Sequence, residues 1–144
     1  MKKFFTVILF ALLFTGIVFA AGSSESQSDG AVKYKVGLCN FVDDASLNQI
    51  CDNIRDRIDE IEAERGVVIE VLYDNCNADA NVLNQIIANF IASKVDLMIG
   101  VATPVAMAMQ AATEENGIPV VFSAVSDPLA TGLVDSLQQP GGNL

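Results

Sequence analysis

The chain has 144 residues, enough for one domain of ordinary size, and its 18 Asp and Glu against 8 Lys and Arg give a formal net charge of −10. That acid excess argues against a nucleic-acid partner, because phosphate binding needs a basic surface. There is no histidine, which excludes histidine metal sites, Ser-His-Asp triads and Cys-His dyads within this chain.

Lys2 and Lys3 precede an apolar run from Phe4 through Phe14 that continues past Thr15 and Gly16 to Ala21. Val18-Phe19-Ala20 places small or aliphatic residues before a polar stretch, so residues 1–20 are expected to be a secretory signal peptide cleaved after Ala20. A retained membrane anchor is the alternative, since the run is nearly long enough to span a bilayer. A lipoprotein would need a cysteine at the cleavage site, and the first one is Cys39. Cleavage would remove two basic residues and leave 6 against 18 acidic ones, a charge of −12 that suits a soluble, diffusing protein outside the inner membrane. Residues 21–32, rich in Ser, Gly and Gln, read as a flexible linker. The folded body is expected over 33–144.

The body opens with a short apolar strand, Lys33 to Asn40, flanked by charge. Asp43 and Asp44 can cap the helix that follows, and Ser46 with Gln49 resembles a capping box. Leu47, Ile50, Cys51, Ile54, Ile58 and Ile61 then recur at helical spacing on an otherwise charged helix, which Gly66 stops. Val67 to Tyr73 is β-branched and strand-like. Asp74 to Asp79 is a polar loop, and Asp79 can cap a second helix whose buried face is Val82, Leu83, Ile86, Ile87, Phe90 and Ile91. Asp96 to Val101 is nearly all apolar, as in a strand covered on both faces. Ala102-Thr103-Pro104 predicts a helix start with Thr103 as cap and Pro104 at the first helical position. That helix runs to about Glu115, and Asn116-Gly117 ends it. Ile118 to Ala124 is a fourth strand with Pro119 at its start. Asp127-Pro128 turns the chain, Leu129 to Leu137 is read as a short helical piece, and Pro140 to Asn143 as a turn. Met98, Met107 and Met109 read as packing residues.

Strands and helices therefore alternate with short connections, which predicts an α/β fold with a doubly wound parallel sheet. In such sheets ligands bind beyond the carboxyl ends of the strands, so the loops after each strand are the places to look. At the third, the backbone N–H groups of Thr103 and its neighbours can hold a carboxylate, with the Thr103 hydroxyl adding a hydrogen bond; the plainer reading is a helix cap. At the fourth, Ser123 and Ser126 offer hydroxyls, and Asp127 can hold an ammonium group or cap the next turn. After the first strand, Phe41 is an aromatic wall or core, and Asp43 and Asp44 read as solvated caps. Asn75, Asn77 and Asp79 fit ordinary loop chemistry. No GxGxxG follows the first strand, and GxxxxGK[ST] and GxSxG are absent, so no cofactor or enzyme elbow is expected. Of the three cysteines, Cys39 and Cys76 fall near the ends of adjacent predicted strands. They are either close enough to pair in an exported protein or simply small buried residues.

Three pieces together resemble the substrate-binding proteins of ABC transporters, of the tryptophan/tyrosine type: Ala102-Thr103-Pro104, then Pro119 through Pro128 (PVVFSAVSDP), then Gly132-Leu133-Val134 with Pro140-Gly141-Gly142-Asn143. Asn77-Ala78-Asp79 sits where that family carries an Asn-containing loop. The resemblance covers about Lys35 to the end. It implies the amino-terminal, Rossmann-like lobe of a type I periplasmic-binding fold and a non-enzymatic role. It further implies a small amino-acid-like ligand trapped between two lobes, no cofactor and no metal, and an ABC permease in the membrane as partner. Carried onto this chain, the ligand-binding residues are Asn40, Phe41, Thr103, Pro104, Ser123, Ala124, Val125, Ser126 and Asp127. Relatives continue past the Pro-Gly-Gly-Asn turn into a second lobe, so the chain is expected to be a fragment, a truncated frame or a short homologue. Alone it is expected to bind weakly or not at all and to expose apolar surface. The competing readings are a periplasmic sensory module and a small exported α/β enzyme.

Overall fold

The computed structural model describes residues 31–143. The expected signal peptide, its cleavage site and residues 21–30 of the linker lie outside them. Strand β1 (Lys33–Asn40) is followed by helix α1 (Ala45–Arg65), β2 (Val68–Asn75), α2 (Ala80–Ala92), β3 (Leu97–Val101), α3 (Thr103–Thr113) and β4 (Val120–Ser123). All neighbouring strands run parallel, in the order β2-β1-β3-β4. The first strand is thus central and the winding changes direction between β1 and β3, the expected doubly wound sheet.

Period-two alternation assigns each side chain of β1 and β3 to one of two helix layers. Val36, Leu38, Ile99 and Val101 face α1 and pack with its Cys51 and Ile58. Cys39 and Met98 face the opposite way, into a cluster with Leu83, Ile86, Ile87 and Phe90 of α2 and Val105 and Met109 of α3. Gly37 on this face lets Phe90 lie against the backbone, since a Cβ there would come within 2.5 Å of the ring. Met98 and Met109 are packing residues as expected, whereas Met107 is exposed. Among the described residues no helix is long and apolar enough to cross a membrane.

Local chemistry sets the helix ends. The Asp44 carboxylate accepts from the N–H groups of Ser46 (2.9 Å) and Leu47 (3.2 Å), so Asp44 is the N-cap of α1 and the Ser46–Gln49 box does not form. Asp44 wins because it stands just before the first helical turn, while Ser46 is already inside it. Gly66 adopts φ 63° and donates its N–H to the Glu62 carbonyl, ending α1. Asp79 caps α2 through the N–H groups of Asn81 and Val82.

Other expectations change. Strand β2 extends to Asn75 because Asn75 pairs with Asn40. Helix α3 ends at Thr113, whose carbonyl accepts the Gly117 N–H at 2.8 Å. Strand β4 spans Val120 to Ser123, stopping where Ala124 turns left-handed at φ 56°. The segment 129–137 forms turns rather than a helix. Gly132 is left-handed at φ 70°, and the Leu133 and Val134 N–H groups both return to the Pro128 carbonyl. Leu133 and Val134 are thereby buried side by side against Ala106 and Phe122, which helical spacing would have separated.

Candidate functional site

Because the strands are parallel, their following loops share one edge. The register makes that edge a single row: Asn75 pairs with Asn40, Asn40 with Val101, and Val101 with Ser123. Backbone bonds then join the loops. The Cys76 N–H donates to the Asn40 carbonyl (3.1 Å), the Ala78 N–H to the Phe41 carbonyl (2.7 Å), and the Ala102 N–H to the Ser123 carbonyl (2.9 Å). The structure therefore brings Asn40, Phe41, Thr103, Pro104 and Ser123 to the same edge, with Ala124 to Asp127 continuing from it.

Thr103 is the first residue of α3 and not its cap. Ala102 takes the cap position with φ 81° and ψ 153° and makes no side-chain cap bond. This backbone region is open almost only to glycine. The bond from the Ala102 N–H to β4 commits the backbone before the helix begins, which local sequence does not reveal. The Ala106 N–H already donates to the Ala102 carbonyl, and Pro104 has no N–H. The donors left at this helix end are the N–H groups of Thr103 and Val105, at the positive end of the helix dipole.

The remaining candidates divide. Phe41 is half-buried and packs against the cluster under α2 and α3, so much of its ring is core. Val125 packs against the cluster around Ala106 and Leu133. Ala124 and Ser126 are exposed. Asp127 caps the next turn: one carboxylate oxygen accepts the Ala130 N–H at 2.9 Å, and its carbonyl accepts from Thr131. Asn75 and Asn77 do form a tight side-chain-to-backbone turn, with the Asn77 N–H on Asn75 Oδ1 at 2.8 Å.

Asn48, on the second turn of α1, did not stand out in the sequence. Its Oδ1 accepts from Asn40 Nδ2 at 2.9 Å, and its Nδ2 donates to Asp43 Oδ1 at 2.6 Å. The only local signal was a polar residue just inside a helix, which is commonplace. This relay holds Asn40, which is fully buried and whose Oδ1 has no hydrogen-bond partner. An orphaned buried acceptor costs about 1–3 kcal/mol.

Charge is one-sided at this edge. Asp43, Asp44, Asp74, Asp79 and Asp127 lie in or beside the loops, which carry no Lys or Arg. The α3 terminus is the positive pole among them. Beneath them burial, then the neighbouring Cys76, pushes the Cys39 thiol up to about 12. Among the described residues no group of three or more His, Cys, Asp or Glu is placed to hold a metal ion. A separate concavity of about 490 Å³ lies between α1 and the sheet, lined by Val36, Ile54, Ile58, Leu97 and Ile99 and reaching Ser123. It is nearly all apolar, lies mainly along the first halves of β1, β2 and β3, and touches the polar edge only at Ser123.

Residues 35–144 match the family model described as "ABC transporter substrate binding protein". A "tyrosine-binding protein" from Clostridioides difficile is 29% identical over 124 residues, covering 86% of this chain and 35% of its own length. A solved domain from Streptococcus pneumonia in complex with L-Trp is 32% identical, with a TM-score of 0.69 over 77% of this chain and 37% of that one. The ligand-free, open structure of a substrate-binding protein with adhesive properties from Clostridium difficile is 31% identical, with a TM-score of 0.68 over 76% and 37%. The chain thus spans about a third of the length of these relatives.

Proposed function

This chain belongs to the family of ABC transporter substrate-binding proteins, and from that premise we propose that it is the solute-capturing component of an importer, with an amino-acid-like zwitterion as ligand. Its fold is that of a lobe of a type I periplasmic-binding protein. The observation that carries the reading is the pairing of charge at the carboxyl edge of the sheet. One helix terminus with free N–H groups at Thr103 and Val105 suits a carboxylate. The surrounding aspartates, in loops without Lys or Arg, suit an ammonium group. A purely anionic ligand would meet five like charges there, and a neutral one would leave both poles unused.

The similar proteins carry names that mention tyrosine and L-Trp, so aromatic amino acids head the ligand panel, with the exposed side of Phe41 as a stacking wall. In this reading Asn40, Phe41, Thr103, Pro104 and Ser123 to Asp127 form one wall of a cleft, and a second lobe supplies the other. The protein is exported through residues 1–20 and hands its ligand to a membrane permease.

Calorimetric titration of the 144-residue chain and of a two-lobed protein containing it, with L-Tyr, L-Trp and other amino acids, tests this. We expect micromolar binding by the two-lobed protein and millimolar or none by the chain alone. Micromolar affinity in the chain alone would remove the need for a second wall. A two-lobed protein silent to every amino acid would overturn the ligand class.

A further inference from the structure

Cys39 and Cys76 are both fully buried and share the core cluster under α2 and α3. Cys39 pairs with Asp74 across β1 and β2, so Cys76, two residues further on, returns to the same face. The Cys76 N–H donates to the Asn40 carbonyl at 3.1 Å, which pins the loop after β2 against the end of β1. Their sulfurs sit against the carbonyls of consecutive residues, Cys39 Sγ 3.5 Å from that of Asn40 and Cys76 Sγ 3.2 Å from that of Phe41, and both are free thiols in this structure. Cys51 sits in the cluster under α1, on the other side of the sheet, and cannot reach either. We propose that Cys39 and Cys76 are joined by a disulfide when the chain folds under oxidising conditions, fastening the end of β1 to the loop after β2.

The hydrogen bonding around the pair permits this. The Cys39 thiol donates weakly to the Asn40 carbonyl (3.5 Å) and the Cys76 thiol to the Phe41 carbonyl (3.2 Å). Each carbonyl also accepts a backbone N–H, from Cys76 and Ala78 respectively. Removing both thiol protons therefore orphans no buried acceptor. Each thiol is small and both lie in one apolar cluster, so the bond adds no bulk and buries no new polar group.

The reaction is thiol–disulfide exchange with a small-molecule or protein disulfide. A thiolate attacks the oxidant, forms a mixed disulfide and is resolved by the second cysteine. Two protein thiols give up two electrons and two protons, one protein S–S bond forms, and the oxidant's S–S bond is reduced to two thiols. Burial holds the Cys39 thiol far above neutrality in the native fold, and attack needs the thiolate. The bond therefore forms while the chain is folding, before the sulfurs are covered. Afterwards the same burial shields it from reductant. The inference does not depend on which ligand is bound.

The test refolds the full chain from reduced denaturant into a buffer of oxidised and reduced glutathione, then alkylates it with iodoacetamide in denaturant without reductant. The expected intact mass shows one modified thiol, Cys51, and proteolysis yields a Cys39–Cys76 linked peptide. Cys51→Ser should show none modified. Cys39→Ser and Cys76→Ser should each show two. The oxidised wild-type chain should melt above its reduced form by roughly 10 °C, because the link closes a long loop in the unfolded state. Three modified thiols, a stable glutathione adduct in place of the link, any link to Cys51, or oxidised protein melting no higher than reduced would each overturn the proposal.

Discussion

Where the strands begin, opposite charges meet: Lys35 Nζ lies 3.5 Å from Glu70, the Lys35 backbone N–H donates to the Asp96 carboxylate at 2.8 Å, and Arg57 bridges Glu60 and Glu64 at 2.7 and 3.1 Å. Where the strands end, aspartates gather in loops that carry no Lys or Arg, and Asn40 keeps an unpaired acceptor. Backbone strain divides the same way. Among the described non-glycine residues with positive φ, Asn77, Ala78, Ala102 and Ala124 stand at the carboxyl edge and Lys94 at the amino edge. One edge satisfies itself; the other holds groups whose needs the chain alone does not meet. Such unmet needs are what a ligand can satisfy, which makes this contrast a better guide to the site than cavity size, since the 490 Å³ concavity is apolar and touches this edge only at Ser123.

The sharpest way to break the contrast is at Ala102. A β-branched residue tolerates φ 81° and ψ 153° worse than alanine does. Ala102→Val should lose about 2 kcal/mol or more of unfolding free energy by chemical denaturation. Ala102→Gly should gain about 1 kcal/mol, as strain relief outweighs the entropy of glycine. A loss in the glycine variant, as in an ordinary helix, would show that this edge is not strained.

Next is the relay at Asn48. Asn48→Ala takes away the partner of Asn40 Nδ2 in a buried setting and should cost about 1–3 kcal/mol. Asp43→Ala breaks only the exposed outer bond and should cost about 0.5 kcal/mol or less. Equal costs in urea titrations would mean that burial does not distinguish the two bonds.

The smallest effect belongs to the matched edge. The Arg57 guanidinium, by hydrogen bond and charge, holds the exposed Glu64 carboxyl below its ordinary value of 4.5. A carboxylate lowered in the folded state stabilises above its unfolded pKa and loses that contribution as pH falls from about 4.5 through the folded value. Glu64→Gln should therefore be slightly less stable than wild type near neutrality, and the gap should close in acid or at high salt. A gap that persists at pH 2 would assign the effect to packing instead.

Much of the fold was legible because it rests on local rules. The bounds of β1, the cap at Asp44, the stop at Gly66 and the cap at Asp79 each follow from a few neighbouring residues. The misreadings occur where a distant atom decides. Thr103 looked like a cap, but the Ala102 N–H is bound to Ser123 across the sheet. Leu129 to Leu137 carried apolar spacing compatible with a helix, but Leu133 and Val134 are claimed by Ala106 and Phe122. Ser46 and Gln49 had capping-box spacing, yet Asp44 was better placed. At the candidate site, the loops were found from strand ends alone, because parallel strands leave them no other edge. Asn48 was not found, since its importance comes from the buried amide it holds rather than from its own surroundings.

Asn143 folds back to the start of β4: its carbonyl accepts the Val120 N–H at 2.8 Å, and its amide donates to Thr113 Oγ1 and the Ile118 carbonyl, both at 2.7 Å. The first donor along the outer margin of β4 is thus already occupied. An incoming strand from another molecule would have to displace this clamp before it could zip onto the sheet there, so the turn discourages sheet-to-sheet clumping on that side.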